Sequence, residues 1–297
     1  MFISFVETKS CLGHINYYNK FIADLSLNNT VEVVSSEKIC RSLSVNDGVK
    51  LSSVFKANKK NKIAYNIQQV LLCYKALIYA INNKSEKVIF AAYDTFAIGF
   101  LCLIFPALFS KIKVEVFEHN NIDQLSKSRV KKWLYKLSST KVSSIVFESY
   151  IGQFIKDNYE RDYWVYEHPL VNFKGEFKNK LNIDSKYVFL PSAAVEEFRF
   201  RCIAEYCIDN DLLLVCKLNA WVDDYKNVIV REYFDDYESL LLNCEFLAIA
   251  NDFSYRVSGV FYEGIANGCN FLVCDNLMFN KLIGKYKNIN IIMLNPR

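Results

Sequence analysis

The order of elements in residues 244–275, CEFLAIANDFSYRVSGVFYEGIANGCNFLVCD, decides the fold class of this chain. Its first seven residues are an apolar run typical of a buried strand, and "FSYRVSG" reads as a loop. The stretch "VFYEGIANG" has a helical pattern that closes with Asn267-Gly268. The apolar run "FLVCD" follows as a second strand. Strand, helix and strand in this order predict a parallel βαβ unit.

The same alternation extends over nearly the whole chain. Before residue 172, strand-like runs alternate with helical patterns at residues 1–8, 31–34, 87–93, 113–119, 143–149 and 163–168. Residues 172–185 are polar and lack apolar periodicity, and the alternation restarts after them. We therefore predict an α/β fold of two tandem Rossmann-like domains, residues 1–171 and 186–297, with a linker at 172–185 and a cleft between them.

The composition restricts the class of protein. A hydrophobic content of 52% is that of a globular chain, and a net charge of +4 is too small for a dedicated nucleic-acid binder. The ten cysteines form no C-x-x-C pair, which argues against a zinc or redox motif and favours buried thiols in a reducing cytoplasm. The longest apolar run, residues 96–109, is shorter than the about 20 residues that span a bilayer. We expect a cytoplasmic protein, soluble or peripheral to a membrane.

The loop and helix of the opening stretch are suited to a nucleotide. Ser258 and Gly259 fall at the predicted N-terminus of the helix, where backbone N–H groups and the helix dipole favour a phosphate or diphosphate. Glu263 lies about one turn further along, and its two oxygens can accept hydrogen bonds from a ribose diol. The alternative for Glu263 is a solvent-facing side chain on an ordinary helix.

Four polar side chains follow other predicted strands. His14, His119 and His168 are the only histidines of the chain, and each stands near the end of a strand, as does Asp94. Open parallel sheets bind ligands at the carboxyl ends of their strands, so these residues are candidates for a site in the first domain. The alternatives are surface or capping histidines, and a helix N-cap for Asp94.

The stretch "SYRVSGVFYEGIANGCNFLVCDN" resembles the donor-binding segment of GT-B fold glycosyltransferases related to glycosyltransferase family 4, including bacterial surface-polysaccharide enzymes. "GHINYYNKF" is similar to the first loop of that family, and "FEHNN" to its strand that ends in a histidine facing the sugar. "YEHPLV" resembles the strand leading into the linker, and "YVFLPSAAVEEF" the first strand of the donor domain. Glu263 matches the ribose-binding glutamate, Gly268 the turn after its helix, and Gly13 the glycine that approaches donor and acceptor.

This resemblance implies a transferase that moves a sugar from a UDP- or GDP-sugar to a growing, lipid-linked glycan such as O-antigen or capsule. It implies no cofactor and no metal. The helix N-terminus at Ser258 and Gly259 and a basic side chain, Lys217 or Arg256, would stabilise the leaving diphosphate. If the reaction inverts, His14, Asp94 or His119 would be the base that deprotonates the acceptor.

One departure from the family pattern leaves other functions open. Tyr255 stands where the family has the first of two glutamates, and Asp252 is the neighbouring acid that could replace it. The donor sugar and the stereochemistry are therefore not predicted. Two alternatives are a catalytically degenerate protein that binds a nucleotide-sugar or acts as a scaffold, and an isomerase resembling nucleotide-sugar 2-epimerases.

Residues 127–141, KSRVKKWLYKLSSTK, carry six basic side chains and no acid. Val130, Trp133, Leu134 and Leu137 fall at helical spacing on one face. A basic amphipathic helix of this kind can lie on the anionic, inner face of the cell membrane. The alternative is a helix that packs its apolar face on the sheet and leaves its lysines in water.

Overall fold

The computed structural model of the chain describes residues 1–10, 12–45, 48–55, 62–173, 185–192, 195–217, 225–286 and 289–295. These residues form two compact units, residues 1–169 and 170–297. The predicted first domain ends at residue 171. Most of the predicted linker, residues 174–184, lies outside the described residues.

The first unit is an open parallel sheet covered by helices. Its strands are β1 (Phe2–Glu7), β2 (Thr30–Ser36), β3 (Lys50–Phe55), β4 (Lys87–Ala92), β5 (Lys113–Phe117), β6 (Val142–Val146) and β7 (Tyr163–Val165). Its helices are α1 (Ile15–Ser26), α2 (Glu37–Ser42), α3 (Lys62–Asn82), α4 (Thr95–Ile104), α5 (Pro106–Phe109), α6 (Asn121–Leu125), α7 (Arg129–Leu137) and α8 (Ser149–Tyr159), with a 3-10 helix at Leu12–His14. In the described part of this unit the strand order is β3-β2-β1-β4-β5-β6-β7.

The register of this sheet places the switch in strand order beside β1. Phe5 pairs with Val33 of β2 on one side and with Ile89 of β4 on the other. From β1 the strand order continues to β2 and β3 on one side and to β4 and the later strands on the other. The connections on the two sides therefore run in opposite directions along the sheet, which opens a crevice at the carboxyl ends of β1 and β4. The residues that follow these two strands are therefore placed at the edge where open α/β sheets bind ligands.

The second unit repeats the plan. Its strands are β8 (Tyr187–Leu190), β9 (Leu213–Lys217), β10 (Val228–Arg231), β11 (Phe246–Ile249), β12 (Phe271–Cys274) and β13 (Ile291–Leu294), and its helices are α9 (Glu197–Asp209), α10 (Tyr237–Asn243), α11 (Gly259–Ala266) and α12 (Leu277–Leu282). Among the described residues the order is β10-β9-β8-β11-β12-β13, all parallel. The switch point here lies between β8 and β11. The predicted α/β fold of two Rossmann-like domains is confirmed.

The cores follow from nearly continuous apolar strands buried on both faces. In the first unit, Val88 and Phe90 of β4 pack with Cys73 and Leu77 of α3 in one cluster. In the second unit, Val188 and Leu190 of β8 pack with Phe200 and Ile203 of α9. Strands of this kind cannot alternate apolar and polar residues, because helices cover both faces of a parallel sheet. The nine cysteines in the described ranges are free thiols.

Two elements of the first unit were not predicted, and one apolar run is divided. β3 is the edge strand of the sheet, and its sequence KLSSVF is too polar in its centre to give a strand pattern. The short α2 was also missed. The apolar run at residues 96–109 forms α4 and α5, which are separated at Phe105 because Pro106 cannot continue the first helix. No helix in the described ranges is both long and apolar enough to cross a bilayer.

Candidate functional site

The N-terminus of α11 lies at the carboxyl end of β11, as predicted. Ser258 is its N-cap, and its hydroxyl accepts a hydrogen bond of 3.3 Å from the backbone N–H of Phe261. Gly259, the first helical residue, is exposed, and a Cβ built on it would meet no atom within 4 Å. The first N–H groups of a helix have no acceptor within the helix, so this open end can donate to an anion.

Glu263 lies one turn further along α11 and is partly buried. Its Oε2 accepts a hydrogen bond of 2.6 Å from the hydroxyl of Tyr237, the first residue of α10. Burial raises the pKa of the Glu263 carboxyl, and the hydrogen bond from Tyr237 opposes that shift. Glu263 is therefore not the fully solvated surface side chain that was the alternative. Its other oxygen, Oε1, makes no hydrogen bond with the described residues, which leaves one acceptor for a hydroxyl group.

The C-terminal end of α11 is fixed by a side-chain network. Asn267 donates to the carbonyl oxygens of Glu263 and Val171, at 2.8 and 3.1 Å, and accepts from the backbone N–H of Phe173 at 2.9 Å. Gly268 follows with φ +71°, a left-handed conformation that glycine adopts without strain. Asn267-Gly268 is therefore a helix end, as the sequence predicted.

The two basic candidates stand at the ends of different strands. Arg256 is in the loop after β11, and its guanidinium lies 4.0 Å from the centroid of the Phe253 ring. Lys217 is the last residue of β9, and residues 218–224 beyond it lie outside the described ranges. Asp252, the acid suggested in place of the residue at 255, is exposed and forms an ion pair of 3.7 Å with Arg199. The structure thus places Lys217 at the end of β9 and Arg256 in the loop after β11, the two strands beside β8, without ranking the two cations.

Three histidines of the first unit lie in one aromatic cluster. The rings of His14 and His119 stack with their centroids 4.8 Å apart and their planes 12° apart. Tyr17, on the first turn of α1, donates or accepts a hydrogen bond at Nε2 of His119. The ring of His168 lies 6.1 Å from that of Tyr17. The predicted proximity of strand-end histidines is therefore found within this unit, and Gly13 lies in the 3-10 helix that carries His14.

His119 has two contacts at one ring nitrogen, Nε2. The hydroxyl of Tyr17 is one, and the carbonyl oxygen of Ala91, 3.0 Å away, is the other. Because a carbonyl only accepts, the Ala91 contact is a hydrogen bond in the tautomer that carries hydrogen on Nε2. Burial lowers the pKa of His119 well below its usual range, and His14 adds to that shift. Burial also lowers the pKa of His14, and that of His168 to about 4. At neutral pH the rings are therefore uncharged, and in the tautomer with hydrogen on Nε2 the Nδ1 atom of His119 holds a lone pair that can accept a proton.

Asp94 has the contacts of a helix cap. Its Oδ1 accepts from the backbone N–H of Phe96 at 2.9 Å, which caps α4. Its Oδ2 pairs with Nζ of Lys131 at 3.2 Å. Both oxygens are engaged, which matches the capping alternative considered for this residue. These contacts do not support a role for Asp94 as the catalytic base.

The loop after β1 is shaped by a buried carboxylate. Glu7, the last residue of β1, accepts hydrogen bonds of 2.8 Å from the backbone N–H groups of Lys9 and Ser10. Ser10 takes a positive φ of 55° in the turn that follows. Burial lowers the pKa of Lys9, and Asp94 opposes that shift. This turn lies shortly before the 3-10 helix that carries His14.

Sequence reasoning missed the two tyrosines that touch the candidate side chains. Tyr17 stands three residues after His14, a spacing that places both on one face of a helical segment, and this signal was available. Tyr237 stands at the start of a helix after β10, but nothing in its local sequence points to Glu263, which is 26 residues away. No group of three or more His, Cys, Asp or Glu side chains suited to a metal occurs in the part of the chain that the structure describes.

Comparison with known proteins gives similarity of structure and none of sequence. No family model matches the sequence, and no curated protein matches it. The solved structure of HepE from Anabaena in complex with UDP has a TM-score of 0.67 at 10% identity, covering 100% of this chain and 86% of that chain. The catalytic domain of starch synthase IV from Arabidopsis thaliana, bound to ADP and acarbose, has a TM-score of 0.65 at 7% identity, covering 95% and 84%. A glycosyltransferase from Rickettsia africae has a TM-score of 0.62 at 10% identity, covering 100% and 84%.

These structures have the GT-B fold, and the chain is similar to them over nearly its whole length. Identities of 10% and below establish the fold alone. The predicted resemblance to GT-B glycosyltransferases is thus confirmed for the fold, while the narrower assignment to glycosyltransferase family 4 stays a prediction.

Proposed function

We propose that this chain, which has the GT-B fold, is a glycosyltransferase that moves a sugar from a UDP- or GDP-sugar to a growing, lipid-linked surface glycan. The observation that carries the proposal is the pairing on α11 of an open helix N-terminus with a partly buried carboxylate one turn later. A nucleotide needs donors for its phosphates and an acceptor for its ribose hydroxyls, and α11 offers both. The structurally similar HepE was solved in complex with UDP, which favours a uridine nucleotide for this chain as well.

On the donor side, each residue has one task. The diphosphate would accept hydrogen bonds from the backbone N–H groups at the N-terminus of α11, beside Ser258 and Gly259. The helix dipole favours its negative charge there. Arg256 or Lys217 would add a positive charge that stabilises the departing diphosphate as the bond to the sugar breaks. Glu263 would hold the ribose through Oε1, since Tyr237 occupies Oε2. A bound metal is not part of this proposal.

On the acceptor side, His119 is the favoured proton acceptor. In the neutral tautomer with hydrogen on Nε2, which the carbonyl of Ala91 favours, Nδ1 can take the proton of an acceptor hydroxyl as that oxygen attacks the sugar. His14, stacked on His119, is the second candidate. Asp94 is third, because a cap and an ion pair already engage its carboxylate.

The acceptor is proposed to be borne on a lipid, with the protein at the inner face of the cell membrane. The support is the basic segment at residues 127–141, which contains α7. Its apolar side chains are divided rather than gathered on one buried face: Leu134 is buried, whereas Val130 and Trp133 are exposed. These two exposed side chains favour the membrane interpretation over a helix that packs its apolar face on the sheet and leaves its lysines in water.

A second candidate is a protein that binds a nucleotide-sugar without turning it over. The observation that favours it is Tyr255, a partly buried tyrosine at the position where the resembling family has an acid that faces the sugar. A tyrosine there can contact the sugar but cannot supply a carboxylate. Such a protein would bind the donor and release no free nucleotide.

The test is release of nucleoside diphosphate from UDP- and GDP-sugars in the presence of lipid extract from bacterial cells. We expect release that depends on the extract, and a loss of about a hundredfold or more in His119→Asn. Donor binding without release, by the wild-type protein, would instead support the second candidate. Release that is undiminished in His119→Asn would remove His119 as the base.

A further inference from the structure

Three neighbouring helices of the first unit expose apolar side chains on their outward faces. The exposed residues are Ile63, Ile67 and Leu71 of α3, Leu103 and Ile104 of α4 with Phe105 after it, and Val130 and Trp133 of α7. We call these eight residues the three-helix face. Single exposed apolar residues are ordinary, but a group of them on neighbouring helices favours an interaction surface.

Packing contacts place the three helices side by side. The ring of Tyr74 on α3 lies 5.4 Å from that of Phe105. A Cβ built on Gly99 of α4 would lie 2.5 Å from Cβ of Leu134, so only glycine lets α7 approach this closely. α3 and α7 thus both pack against the α4 segment, and the exposed side chains lie on three adjacent helices.

The exposed stripe on α3 is not explained by packing within the unit. Ile63, Ile67 and Leu71 recur every four residues, the spacing of a single helix face. The opposite face, with Leu72 and Ala76, is buried in the core. α3 is thus apolar on two sides, and only one of them meets the sheet.

The charged residues of the three helices all have one sign. None of the residues of α3, α4 or α7 is Asp or Glu. Four exposed basic residues stand among the apolar ones: Lys75, Arg129, Lys132 and Lys136. Asp94, at the cap of α4, is buried and paired with Lys131. An apolar surface set among cations complements an anionic lipid bilayer, where acyl chains receive the apolar groups and headgroups receive the cations.

We propose that the three-helix face docks this protein on an anionic membrane, with α3 and the end of α4 contributing as much as the basic helix α7. The inference deepens the proposed function, on which it rests for the identity of the lipid-borne acceptor. It names the partner as the bilayer itself and adds the α3 stripe, which the sequence of residues 127–141 does not include. Binding to lipid is measured without any nucleotide, so its failure would be distinct from failure of the donor site.

The experiment is co-sedimentation of the full chain with vesicles of phosphatidylcholine alone or mixed equally with phosphatidylglycerol. We expect binding to the mixed vesicles that weakens as salt is added, and little binding to phosphatidylcholine. Ile67→Glu places a charge in the face and is expected to weaken partitioning about tenfold or more. Lys132→Ala is expected to weaken it about fivefold, since each cation near an anionic surface contributes about 1 kcal/mol.

Matched controls come from the second unit. Ile208 is 50% exposed, close to the 57% of Ile67, and lies on α9, so Ile208→Glu should bind vesicles as wild type does. Lys281, exposed on α12, is the matched control for Lys132, so Lys281→Ala should also bind vesicles as wild type does. Equal loss in Ile67→Glu and Ile208→Glu would overturn the proposal, as would absence of binding by wild type. A concentration-dependent dimer that Ile67→Glu dissolves, without vesicle binding, would assign the face to a second copy and overturn it too.

Discussion

The hydroxyl of Tyr237 donates a hydrogen bond of 2.6 Å to Oε2 of Glu263, joining the first residue of α10 to the middle of α11. Both side chains are partly buried, and burial raises the pKa of each. The contact fixes the rotamer of Glu263 and leaves Oε1 as its remaining acceptor. A carboxylate held in this way is preorganised for one hydroxyl donor, which lowers the entropy lost when a ligand binds.

Tyr237→Phe should weaken nucleotide binding while the protein stays folded. Removing the hydroxyl frees Glu263 to rotate and leaves Oε2 without its donor, a change of about 1 to 2 kcal/mol. We expect a dissociation constant about five to thirty times higher. Isothermal titration with the nucleotide that binds wild type checks this. An unchanged dissociation constant would show that the contact is structural only.

Two glycines of α11 should differ in how much their replacement by alanine changes stability. A Cβ at Gly264 would lie 2.6 Å from side-chain atoms of both Leu247 and Phe271, whereas a Cβ at Gly259 would meet nothing within 4 Å. Gly264→Ala should therefore lower the free energy of unfolding by about 1 to 3 kcal/mol, through overpacking against β11 and β12. Gly259→Ala should change it by less than about 0.5 kcal/mol. Urea denaturation of both variants checks the pair, and equal stabilities would contradict the packing.

A buried ion pair supports the end of β5, next to His119. The carboxylate of Glu118 accepts from the hydroxyls of Tyr93, Tyr135 and Ser144, and the guanidinium of Arg161 lies 3.5 Å away. Arg161→Met leaves Glu118 as an unpaired buried charge, and we expect a loss of about 3 to 5 kcal/mol in the free energy of unfolding.

The control for this prediction is an ion pair on the surface of the same unit. Lys156 and Asp162 are 2.6 Å apart but exposed. Lys156→Met should leave stability close to that of wild type, because solvent screens such pairs. Chemical denaturation distinguishes the two, and a small effect of Arg161→Met would mean that the network tolerates loss of its cation.

Stability should fall as the solution is acidified below pH 6.5. Burial lowers the pKa of His168 to about 4, from an ordinary value of 6.5. Between these two pKa values the ring is protonated in the unfolded chain and neutral in the folded protein, so acid favours unfolding. For this ring the loss is about 2 kcal/mol between neutral pH and pH 5. Urea denaturation at both pH values should show a smaller loss in His168→Gln, and parallel losses in the two proteins would contradict the assignment.

The sequence predicts those parts of the structure that depend on residues close together in the chain. The order of strands and helices is set by apolar runs, and the end of α11 by Asn267-Gly268, so the two Rossmann-like units could be derived. The position of Ser258 at a helix N-terminus followed from the same alternation. His14 and His119 could be expected to meet because the carboxyl ends of parallel strands share one edge.

Features that depend on distant residues could not be derived in this way. The hydroxyl that engages Glu263 comes from another helix, and the carbonyl of Ala91 that contacts Nε2 of His119 comes from another strand. β3 escaped prediction because an edge strand can be polar: Ser52 bonds to the carboxylate of Glu32 on its neighbour. Such contacts depend on tertiary packing, which the local propensities of the residues do not predict.

The central claim is that Glu263 binds the ribose of a nucleotide, and thermal-shift titration tests it most directly. Wild type and Glu263→Ala are titrated with UDP, GDP, CMP and dTDP. A ligand at a hundredfold excess over its dissociation constant stabilises the folded state by about 2.7 kcal/mol. We predict that one diphosphate nucleotide, UDP or GDP, raises the melting temperature of wild type and fails to raise that of Glu263→Ala. An equal rise in both proteins, or no rise with any nucleotide, would contradict the donor site on α11.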